Sequence, residues 1–309
     1  MRGSQEKGLG VRMKILNFGS LNIDNVYTVD HFIRPGETMS SLGMEVFCGG
    51  KGLNQSIAMA RAGAQVWHAG AVGGNDGGKL LELLAESGVN TDFVRKTDGV
   101  SGHTIIQVDK NGQNCIILYG GANQEITSGQ IDETLSHFGE GDILLLQNEI
   151  NGLAGLIEKA SEKGMKIYLN PSPATRELLE LPLELVDCFI LNEVEGADIC
   201  GQEAKEEEIP RLLREKYPRA VILLTLGSRG CIYYDGENRY EQPAFRVNAV
   251  DTTAAGDTFT GYFIASAVNG STVPEALLRA TKAAAITVMG KGAAPSIPWE
   301  KQVEETELP

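Results

Sequence analysis

The sequence predicts an α/β protein in which helices flank a doubly wound, mainly parallel sheet, with a small antiparallel β lid attached to it. Three observations lead to this prediction. Short, continuous apolar runs recur along the chain, helical patterns separate them, and two stretches carry strand patterns with no helix between. In an open sheet of this kind, ligands bind outside the carboxyl ends of the strands, so the residues that follow the apolar runs are candidate site residues.

The predicted strands of the main sheet are apolar runs of four to eight residues. A strand that is buried on both faces does not alternate between apolar and polar residues, and continuous runs of this length are typical of parallel sheets. The runs occupy residues 14–19, 65–72, 142–147, 166–169, 187–191 and 220–226.

Helical patterns fill several of the intervals between these runs. Glycine lies just beyond three of them, at Gly63, Gly88 and Gly164, where a left-handed residue commonly ends a helix. The predicted helices cover residues 53–62, 79–86, 153–162 and 209–216.

Two stretches, residues 24–48 and 102–120, predict strands without an intervening helix. Residues 109–112, Asp-Lys-Asn-Gly, have the composition of a hairpin turn. We expect both stretches to form one small sheet that stands off the main sheet as a lid. Because no low-complexity linker divides the chain, residues 13–309 are predicted to form one domain with the lid inserted, preceded by a disordered extension over residues 1–12.

Composition argues against several classes of protein. The chain of 309 residues is 42% apolar and 22% charged, and it has no run of 18 apolar residues that would cross a membrane. Its net charge of −14 argues against a nucleic-acid partner, because no basic stripe is available to neutralise phosphates. Its five cysteines are scattered without a C-x-x-C pair, as expected for reduced core thiols in a cytoplasmic protein.

Residues 73–80 fit the pattern G-x-x-x-x-G-K of a phosphate-binding loop, but a P-loop needs Ser or Thr at the next position to hold magnesium. Leu80 fills that position and begins the apolar stripe of a helix. We therefore predict an ordinary strand-to-helix turn here. No G-x-G-x-x-G motif follows a predicted strand, which argues against a nicotinamide oxidoreductase on the same kind of sheet.

A stronger phosphate-binding candidate lies in residues 250–261, V-D-T-T-A-A-G-D-T-F-T-G. Small residues at Ala254, Ala255 and Gly256 let the backbone approach a ligand closely, and an apolar helical pattern follows them. The free amides at the start of that helix predict an anion hole for a transferring phosphoryl group. Asp257 lies in the first turn, where a helix N-terminus stabilises an anion.

The run A-A-G-D-T-F-T-G resembles the catalytic helix of the ribokinase family of sugar kinases. Further motifs resemble this family in the same order along the chain, so that the resemblance covers roughly residues 14–299. The set is closest to the members that phosphorylate ribose. These motifs occupy residues 19–24, 49–55, 149, 169–174, 192–195, 225–230 and 291–296.

The resemblance implies an ATP-dependent carbohydrate kinase, with the conversion of D-ribose to D-ribose 5-phosphate as the expected reaction. Asp257 would be the general base that accepts the proton of the sugar hydroxyl. The amides of Ala254, Ala255, Gly256 and Asp257 would neutralise charge on the phosphoryl oxygens. The sugar would contact Asn22, Asp24, Gly50, Lys51, Asn54, Glu149 and Asp257.

The same resemblance implies ATP, Mg²⁺ and a monovalent cation, with K⁺ expected, as cofactors, and a homodimer formed through the lid. Asn192 and Glu195 would act on magnesium through water, which suits an ion that keeps much of its hydration shell. The nucleotide is assigned to Asn192, Thr225, Gly227, Gly230, Gly256 and Thr281. The monovalent cation is assigned to Asp251, Thr253, Thr287, Gly290, Gly292 and Ser296.

Alternatives remain within the family and beyond it. A nucleoside, 2-keto-3-deoxy-sugar or sugar-phosphate kinase would share the catalytic helix, although a second phosphate would call for more basic residues than Lys51 in the sugar motifs. A non-catalytic sugar sensor on the same fold would have no need of Asp257 as a base. Thr104 departs from the small or aliphatic residues usual in the lid, which could shift preference toward another pentose or hexose, and His103 is expected at the lid surface.

Overall fold

The computed structural model describes residues 13–201 and 204–309. The extension expected over residues 1–12 lies outside the described residues. Across the described chain, no helix is both long enough and apolar enough to cross a membrane.

Thirteen β-strands and nine α-helices form within the described ranges. The strands are β1 (Ile15–Phe18), β2 (Asn22–Thr28), β3 (Gly43–Gly49), β4 (Val66–Gly73), β5 (Asn90–Thr97), β6 (Gly102–Val108), β7 (Asn114–Tyr119), β8 (Ile143–Gln147), β9 (Lys166–Asn170), β10 (Cys188–Asn192), β11 (Val221–Thr225), β12 (Cys231–Tyr234) and β13 (Arg239–Gln242). The helices are α1 (Lys51–Arg61), α2 (Gly78–Glu86), α3 (Ser128–Leu135), α4 (Leu153–Glu162), α5 (Glu193–Cys200), α6 (Ile209–Lys216), α7 (Ala255–Val268), α8 (Val273–Thr287) and α9 (Glu300–Glu305).

The main sheet contains nine strands in the order β13-β12-β11-β10-β9-β8-β1-β4-β5. The strands from β11 to β5 pair in parallel, and β12 and β13 add an antiparallel end. The chain places β4 on one side of β1 and β8 on the other, so the strand order reverses at β1. Such a reversal opens a crevice beyond the carboxyl ends of the strands, which is where ligands bind in open α/β sheets.

The core is divided by the main sheet into two layers, because successive side chains of a strand point to opposite faces. Ile15 and Leu145 pack in the layer formed by α1, α7 and α8. Their neighbours Leu16 and Leu144 pack in the layer formed by α3, α4 and α6. Burial on both faces explains why the sequence shows continuous apolar runs there rather than an alternating pattern.

The small sheet, which we call the lid sheet, contains β3, β2, β6 and β7 in that order. Its outer pairs are antiparallel, whereas the central pair of β2 and β6 is parallel. Both central strands follow strands of the main sheet, β1 and β5, that run in the same direction, and they therefore leave the main sheet the same way. The predicted turn joins β6 to β7, where the amide of Gly112 donates to the carbonyl of Asp109 at 3.0 Å.

Three strands at the two ends of the main sheet were not predicted from the sequence: β5, β12 and β13. Edge strands are covered less completely than central ones, so they carry polar residues; β5 reads N-T-D-F-V-R-K-T and β13 reads R-Y-E-Q. The prediction of core thiols holds for Cys188 and Cys231, but Cys115 is exposed, because every residue of β7 lies open to solvent.

Candidate active site

Glycines at the start of α1 allow this helix to pack directly on the loop after β1. Gly50 has a φ of 97°, a conformation that side chains disfavour, and a Cβ at this position would lie 3.0 Å from the carbonyl oxygen of Ser20. A Cβ on Gly52 would lie only 2.7 Å from Cα of Gly19. The first turn of α1 is thereby brought to the carboxyl end of β1, where the strand order of the sheet reverses.

Asn22 opens β2 with the orientation of its amide fixed. Its Oδ1 accepts a hydrogen bond of 2.7 Å from Nδ2 of Asn123, and Asn123 in turn accepts from the backbone amide of Leu21 at 3.0 Å. Both asparagines are buried. Because Oδ1 of Asn22 is taken, its NH₂ group is left as a donor for a ligand.

Asp24, two residues along β2, lies against the backbone of β3. A Cβ at Gly49 would come within 1.8 Å of Oδ2 of Asp24, so this position needs glycine. The other carboxylate oxygen bonds to Thr104 of β6. Burial raises the pKa of Asp24, and the bond from Thr104 opposes that rise in part. The departure noted in the sequence, Thr104, is therefore a direct partner of a predicted sugar-binding residue.

Glu149 follows β8 and reaches across to the start of α1. Its Oε2 accepts hydrogen bonds from the hydroxyl of Ser20 and from the backbone amide of Lys51, the latter at 3.0 Å. Burial raises the pKa of Glu149, although these bonds and the charge of Lys51 act in the opposite direction. Since Oε2 makes both bonds, Oε1 is left to accept from a ligand hydroxyl.

Asp257 lies in the first turn of α7, and α1 holds both of its carboxylate oxygens. Nδ2 of Asn54 donates to Oδ2 at 3.0 Å, and Nε2 of Gln55 donates to Oδ1 at 2.9 Å. Oδ1 of Asn54 is buried and has no hydrogen-bond partner among the described residues, which makes it an acceptor for a ligand hydroxyl. The two helices can approach closely because Gly261 has no side chain. A Cβ at this position would lie 2.4 Å from the Cβ of Ala58.

The N-terminus of α7 offers backbone amides to an anion. Ala254, which precedes the helix, has a φ of 61°, and it is the one non-glycine with a positive φ in residues 13–201 and 204–309. Such a strained conformation persists only where the surroundings impose it. The amides of Gly256 and Asp257 lie in the first turn and have no carbonyl four residues earlier inside the helix, so they are free to bind phosphoryl oxygens.

A cavity of about 220 Å³ opens at this helix terminus and is lined by Lys51, Asp257, Asn192 and Glu195. Burial by itself would lower the pKa of Lys51, but the carboxylates of Asp257, Glu149 and Glu195 outweigh burial and raise it. Lys51 is therefore a cation that faces the predicted base and the anion hole. Asn192, which was predicted on the nucleotide side, lies in this first cavity.

A second cavity, of about 310 Å³, adjoins the first across the start of α7, because Ala255 and Gly256 line both. The predicted nucleotide residues Thr225, Gly227, Gly230 and Thr281 line this second cavity. Its walls are otherwise mainly apolar, as in pockets that bind a planar ring. The apolar residues that line this cavity were not predicted from the sequence. The only signal for them was a set of small and apolar residues after β13 and along α8. These residues are Ala244, Phe245, Val247, Ala249, Ala284, Ala285 and Val288.

Asn192 and Glu195 form a reciprocal pair at the start of α5. Oδ1 of Asn192 accepts from the backbone amide of Glu195 at 2.9 Å, and Oε2 of Glu195 accepts from the backbone amide of Asn192 at 3.0 Å. This arrangement is a capping box, which fixes both side chains at the helix N-terminus. Oε1 of the buried Glu195 is left to face the first cavity.

The two loops predicted to hold a monovalent cation lie together. Oδ2 of Asp251 accepts from the amide of Gly292 at 2.9 Å, and its Oδ1 accepts from the amide and the hydroxyl of Thr253. Although burial opposes them, these bonds lower the pKa of Asp251. The hydroxyl of Thr287 is hydrogen-bonded inside the α7–α8 interface, and its carbonyl accepts from the amide of Gly290 at 3.0 Å, which leaves one lone pair of the carbonyl for an ion. Gly290 and Ser296 are also neighbours, since a Cβ on Gly290 would lie 2.9 Å from that of Ser296.

Residues 73–80 form the predicted strand-to-helix turn. β4 ends at Gly73, and α2 begins at Gly78. The carboxylate of Asp76 accepts from the backbone amide and the hydroxyl of Ser101, at 3.1 and 2.6 Å, and so ties the turn to the start of β6. None of these residues lines either cavity described above.

Comparison with known proteins finds relatives of this chain over nearly its full length. Residues 12–300 match the family described as pfkB family carbohydrate kinase. Ribokinase of Haemophilus influenzae is 33% identical over 303 residues, with 96% of this chain and 98% of the relative covered. Deoxyribokinase of Salmonella typhi is 31% identical over 300 residues, with 95% and 98% covered. The structure of Arabidopsis thaliana ribokinase complexed with ribose and ATP superposes with a TM-score of 0.83 at 30% identity, covering 96% of this chain and 98% of that one. This superposition confirms the predicted fold.

Proposed function

This chain belongs to the pfkB family of carbohydrate kinases, and we propose that it transfers the γ-phosphoryl group of ATP to O5 of D-ribose. The observation that carries the proposal is the position of Asp257. Its carboxylate lies at the N-terminus of α7, where the polar cavity beside Lys51 meets the apolar cavity beside Thr281. Of the predicted sugar residues, Lys51 and Asp257 line the first cavity, and Glu149 and Asn54 are hydrogen-bonded to these two. A sugar held by this set and a nucleotide reaching in from the second cavity would meet at the carboxylate of Asp257.

In the proposed reaction, the chain contributes positioning and charge neutralisation, which dominate phosphoryl transfer. The NH₂ group of Asn22 and the oxygens of Asp24, Asn54 and Glu149 hold the sugar hydroxyls. Asp257 accepts the proton of the attacking hydroxyl as the bond to phosphorus forms and the bond to the leaving oxygen of ADP breaks. The amides at the start of α7, together with Lys51, stabilise the charge on the phosphoryl oxygens.

Several observations favour ribose as the acceptor. Both relatives compared over nearly their full length are pentose kinases by name, one for ribose and one for deoxyribose. The structural relative at 30% identity is described as complexed with ribose and ATP. Among the predicted sugar-binding residues, Lys51 is the one basic side chain, so a second phosphate on the sugar would lack a counter-charge.

The residues around Glu195 fit a hydrated magnesium ion. This carboxylate is buried at the edge of the first cavity, and its capping-box bond occupies one oxygen only, so the other is available to water molecules of the ion. Magnesium keeps several waters when it binds to one or two carboxylates together with phosphates. When bound with ATP, the ion would neutralise charge on the phosphate oxygens. Asn192 would orient the same water shell.

The loops at Asp251 and Gly292 fit a monovalent cation such as K⁺. Their contact places the carboxylate of Asp251 against the turn at Gly292, and the backbone carbonyls of such turns can replace the hydration shell of potassium in proteins. Asp251 leads directly into Ala254, whose strained backbone starts the anion hole. An ion held here would therefore set the geometry of α7 without contacting ATP.

The lid sheet fits a homodimer contact and a cover for the sugar. Its outer strands, β3 and β7, leave backbone groups unpaired along the edges, and exposed edges favour pairing with another chain. Apolar side chains are exposed on the same sheet, including Met44, Val46, Ile105 and Ile117. Closure over the sugar would exclude water from the phosphoryl group. The use of ATP and the five free thiols fit a cytoplasmic location.

A kinase assay with a panel of acceptors tests the proposal. We expect the highest kcat/KM with D-ribose, and a product phosphorylated at O5, when ribose is compared with 2-deoxyribose, fructose, adenosine and a 2-keto-3-deoxy acid. An acceptor preferred over ribose by about tenfold, equal to about 1.4 kcal/mol in the transition state, would contradict the assignment to ribose. No transfer to any of them, with intact sugar binding, would support a non-catalytic sugar sensor instead.

A further inference from the structure

A chain of buried polar side chains runs behind Asp257, between the main sheet and α1. Polar groups in such a place are costly unless each one is hydrogen-bonded, so their arrangement is tightly specified. This chain of polar side chains joins Asn17 of β1 and His68 of β4 to Gln55, the residue that follows Asn54 on α1. Its members, in order from the core to Asp257, are His68, Ser56, Asn17, Gln147 and Gln55, and all are 0–1% exposed.

Gln55 is the member that touches Asp257. Its Nε2 donates to Oδ1 of Asp257 at 2.9 Å and to Oδ1 of Asn170 at 3.1 Å. Both amide hydrogens are therefore in use, and both partners are acceptors. An amide has no proton to lose or gain at ordinary pH, so Gln55 can stabilise the carboxylate of Asp257 without competing for the proton that the carboxylate accepts.

Gln147 fixes which way the amide of Gln55 points. Nε2 of Gln147 donates to Oε1 of Gln55 at 2.7 Å and to Oδ1 of Asn17 at 2.9 Å. If the amide of Gln55 were rotated by 180°, its NH₂ group would face the NH₂ group of Gln147, and its oxygen would face the carboxylate of Asp257. Both contacts would be repulsive, so only one orientation is stable.

The far end of the chain is fixed in the same way. Nδ2 of Asn17 donates to the carbonyl of Gly52 at 2.7 Å and to Oγ of Ser56 at 2.8 Å. Burial lowers the pKa of His68 to about 4, so the imidazole is neutral. Ser56 then donates to Nδ1 of His68 at 2.8 Å, and Nε2 of His68 donates to the carbonyl of Gly19 at 3.2 Å. Each donor of these five side chains meets an acceptor, and Oε1 of Gln147 is the one oxygen among them without a partner in the described residues.

We propose that Gln55 is a positioning residue for phosphoryl transfer, which holds the carboxylate plane of Asp257 toward the sugar hydroxyl and is itself held by Gln147. The proposal rests on the proposed function, in which Asp257 is the general base. Asn54 can hold Oδ2, but a single hydrogen bond leaves the carboxylate free to rotate about its terminal bond. The second bond, from Gln55 to Oδ1, removes that freedom before the substrate arrives.

The test is a comparison of Gln55→Leu with the wild type in steady-state kinetics. We expect kcat to fall by about 10- to 100-fold, the loss that follows when a reacting group is misplaced by about 1 Å, while KM for ribose and for ATP stays within about threefold. The matched control is Gln130→Leu. Gln130 is a buried glutamine on α3 that donates to the carbonyl of Gly70 at 2.7 Å and lines neither cavity, so its loss should affect stability and leave kcat unchanged.

A double-mutant comparison separates positioning from general damage. In the Asp257→Ala background there is no carboxylate to hold, so Gln55→Leu should cause no further loss of the residual kcat. A further loss as large as that seen in the wild-type background would overturn the proposal. So would a kcat of folded Gln55→Leu within about threefold of wild type. If Asp257→Ala itself retains the wild-type kcat, Asp257 is not the base. If only Gln55→Leu retains the wild-type kcat, the role proposed for Gln55 is wrong and the role of Asp257 still stands.

The isosteric variant Gln55→Glu keeps the proposal testable if Gln55→Leu does not fold. The introduced carboxyl group, when protonated, can donate to Oδ1 of Asp257 as the amide does. When ionised it repels Asp257; the charged groups that act on this site from other residues are Lys51, which attracts a carboxylate, and Glu149, which adds to the repulsion. The ratio of kcat for Gln55→Glu to kcat for the wild type should therefore fall as pH rises. A ratio that does not change with pH would show that the donor to Asp257 is not needed.

Discussion

The hydroxyl of Thr104 donates a hydrogen bond of 2.6 Å to Oδ1 of Asp24, across the parallel pair of β2 and β6. The two residues face each other in the register of the lid sheet although 80 positions separate them in sequence. Burial raises the pKa of Asp24, and the hydroxyl of Thr104 opposes the rise. Thr104 therefore helps to keep Asp24 ionised, which is the form that accepts hydrogen bonds from sugar hydroxyls.

Thr104→Val should weaken sugar binding with little change in kcat. Valine keeps the shape of threonine but removes the donor, and a lost hydrogen bond to a charged group corresponds to about tenfold in the KM for ribose. Because the pKa of Asp24 would rise further, the loss of sugar affinity on acidification should begin at a higher pH than in the wild type. The matched control is Thr97→Val, since the hydroxyl of Thr97 has no hydrogen-bond partner among the described residues. An unchanged KM and pH profile in Thr104→Val would contradict this role.

Glu149→Gln should raise thermal stability at neutral pH while it weakens sugar binding. Burial raises the pKa of Glu149 above its ordinary value of 4.5, so the folded state binds a proton more tightly than the unfolded state. Ionised Glu149 therefore reduces the free energy of unfolding as pH rises above 4.5. The gain in Tm from Glu149→Gln, measured against wild type, should be largest at neutral pH and shrink toward pH 4.5.

The exposed residue Glu162, at the end of α4, supplies the control for this prediction as Glu162→Gln. Its Tm should follow the wild type at every pH. The prediction is that Glu149 lowers the stability of the protein and strengthens sugar binding. A Glu149→Gln protein that is less stable than wild type at pH 7, or one with an unchanged KM for ribose, would contradict it.

The sequence predicted the parts of the fold that are buried on both faces, because such strands leave a continuous apolar pattern. It also predicted the residues of the α7 motif and of the glycine-rich start of α1, because both form within a few consecutive positions. The strands at the ends of the main sheet were missed for the opposite reason, since their polar residues resemble those of loops. Local sequence therefore predicts local geometry and two-sided burial.

What could not be predicted are the side chains that meet through tertiary packing. Asn123 orients Asn22 from 101 positions away, and Gln147 reaches Gln55 from 92 positions away. Nothing in the local pattern around Asn123 distinguishes it from a loop residue. Asn17 did leave a signal, because a polar residue in the middle of an otherwise apolar, fully buried strand must have partners.

The lid sheet should hold two copies of the chain together. Val46, Ile105 and Ile117 lie on the face of the lid sheet opposite to Asp24, since their register places them one residue out of step with it. All three are exposed, and an apolar patch of this kind marks a contact surface. We expect sedimentation to give a dimer for the wild type and a monomer for Ile117→Lys.

The control for dimer formation is Leu278→Lys, which changes an exposed leucine on α8, outside the lid sheet. This variant should remain dimeric. A wild-type particle of 33.2 kDa at micromolar concentration would rule out the proposed dimer, and a dimeric Ile117→Lys would place the contact elsewhere.

Potassium should activate the enzyme more than sodium, with the effect in kcat or in the KM for ribose. The loop from Asp251 leads directly into the strained Ala254 and the proposed anion hole, so an ion bound by this loop would change the geometry of the amides. Rates measured in potassium, sodium and tetramethylammonium chlorides at equal ionic strength test this expectation. Asp251→Ala should lose the difference between the salts. Equal rates of the wild type in all three would exclude the site.

Asp257→Asn should remove catalysis and keep the fold. A general base contributes about 10² to 10⁴ in rate, so kcat should fall by that factor while the affinity for ATP changes little. The structure explains why asparagine is tolerated. Both oxygens of Asp257 accept hydrogen bonds, so the new NH₂ group must face a donor, either Gln55 or Asn54. Gln55 cannot turn, but Asn54 can, because its Oδ1 has no partner among the described residues.

A turned Asn54 accepts from the new asparagine and presents its own NH₂ group to the sugar, so the stability of Asp257→Asn should be close to that of wild type, with a modest rise in the KM for ribose. Asp24→Asn provides the contrast. In the proposed site Asp24 would hold hydroxyls in the ground state and the transition state alike, so its loss should fall mainly on KM and leave kcat nearly unchanged. Without a general base, the residual kcat should be well below a tenth of the wild-type value. If Asp257→Asn kept more than about a tenth of the wild-type kcat on the best sugar, Asp257 would therefore not be the base.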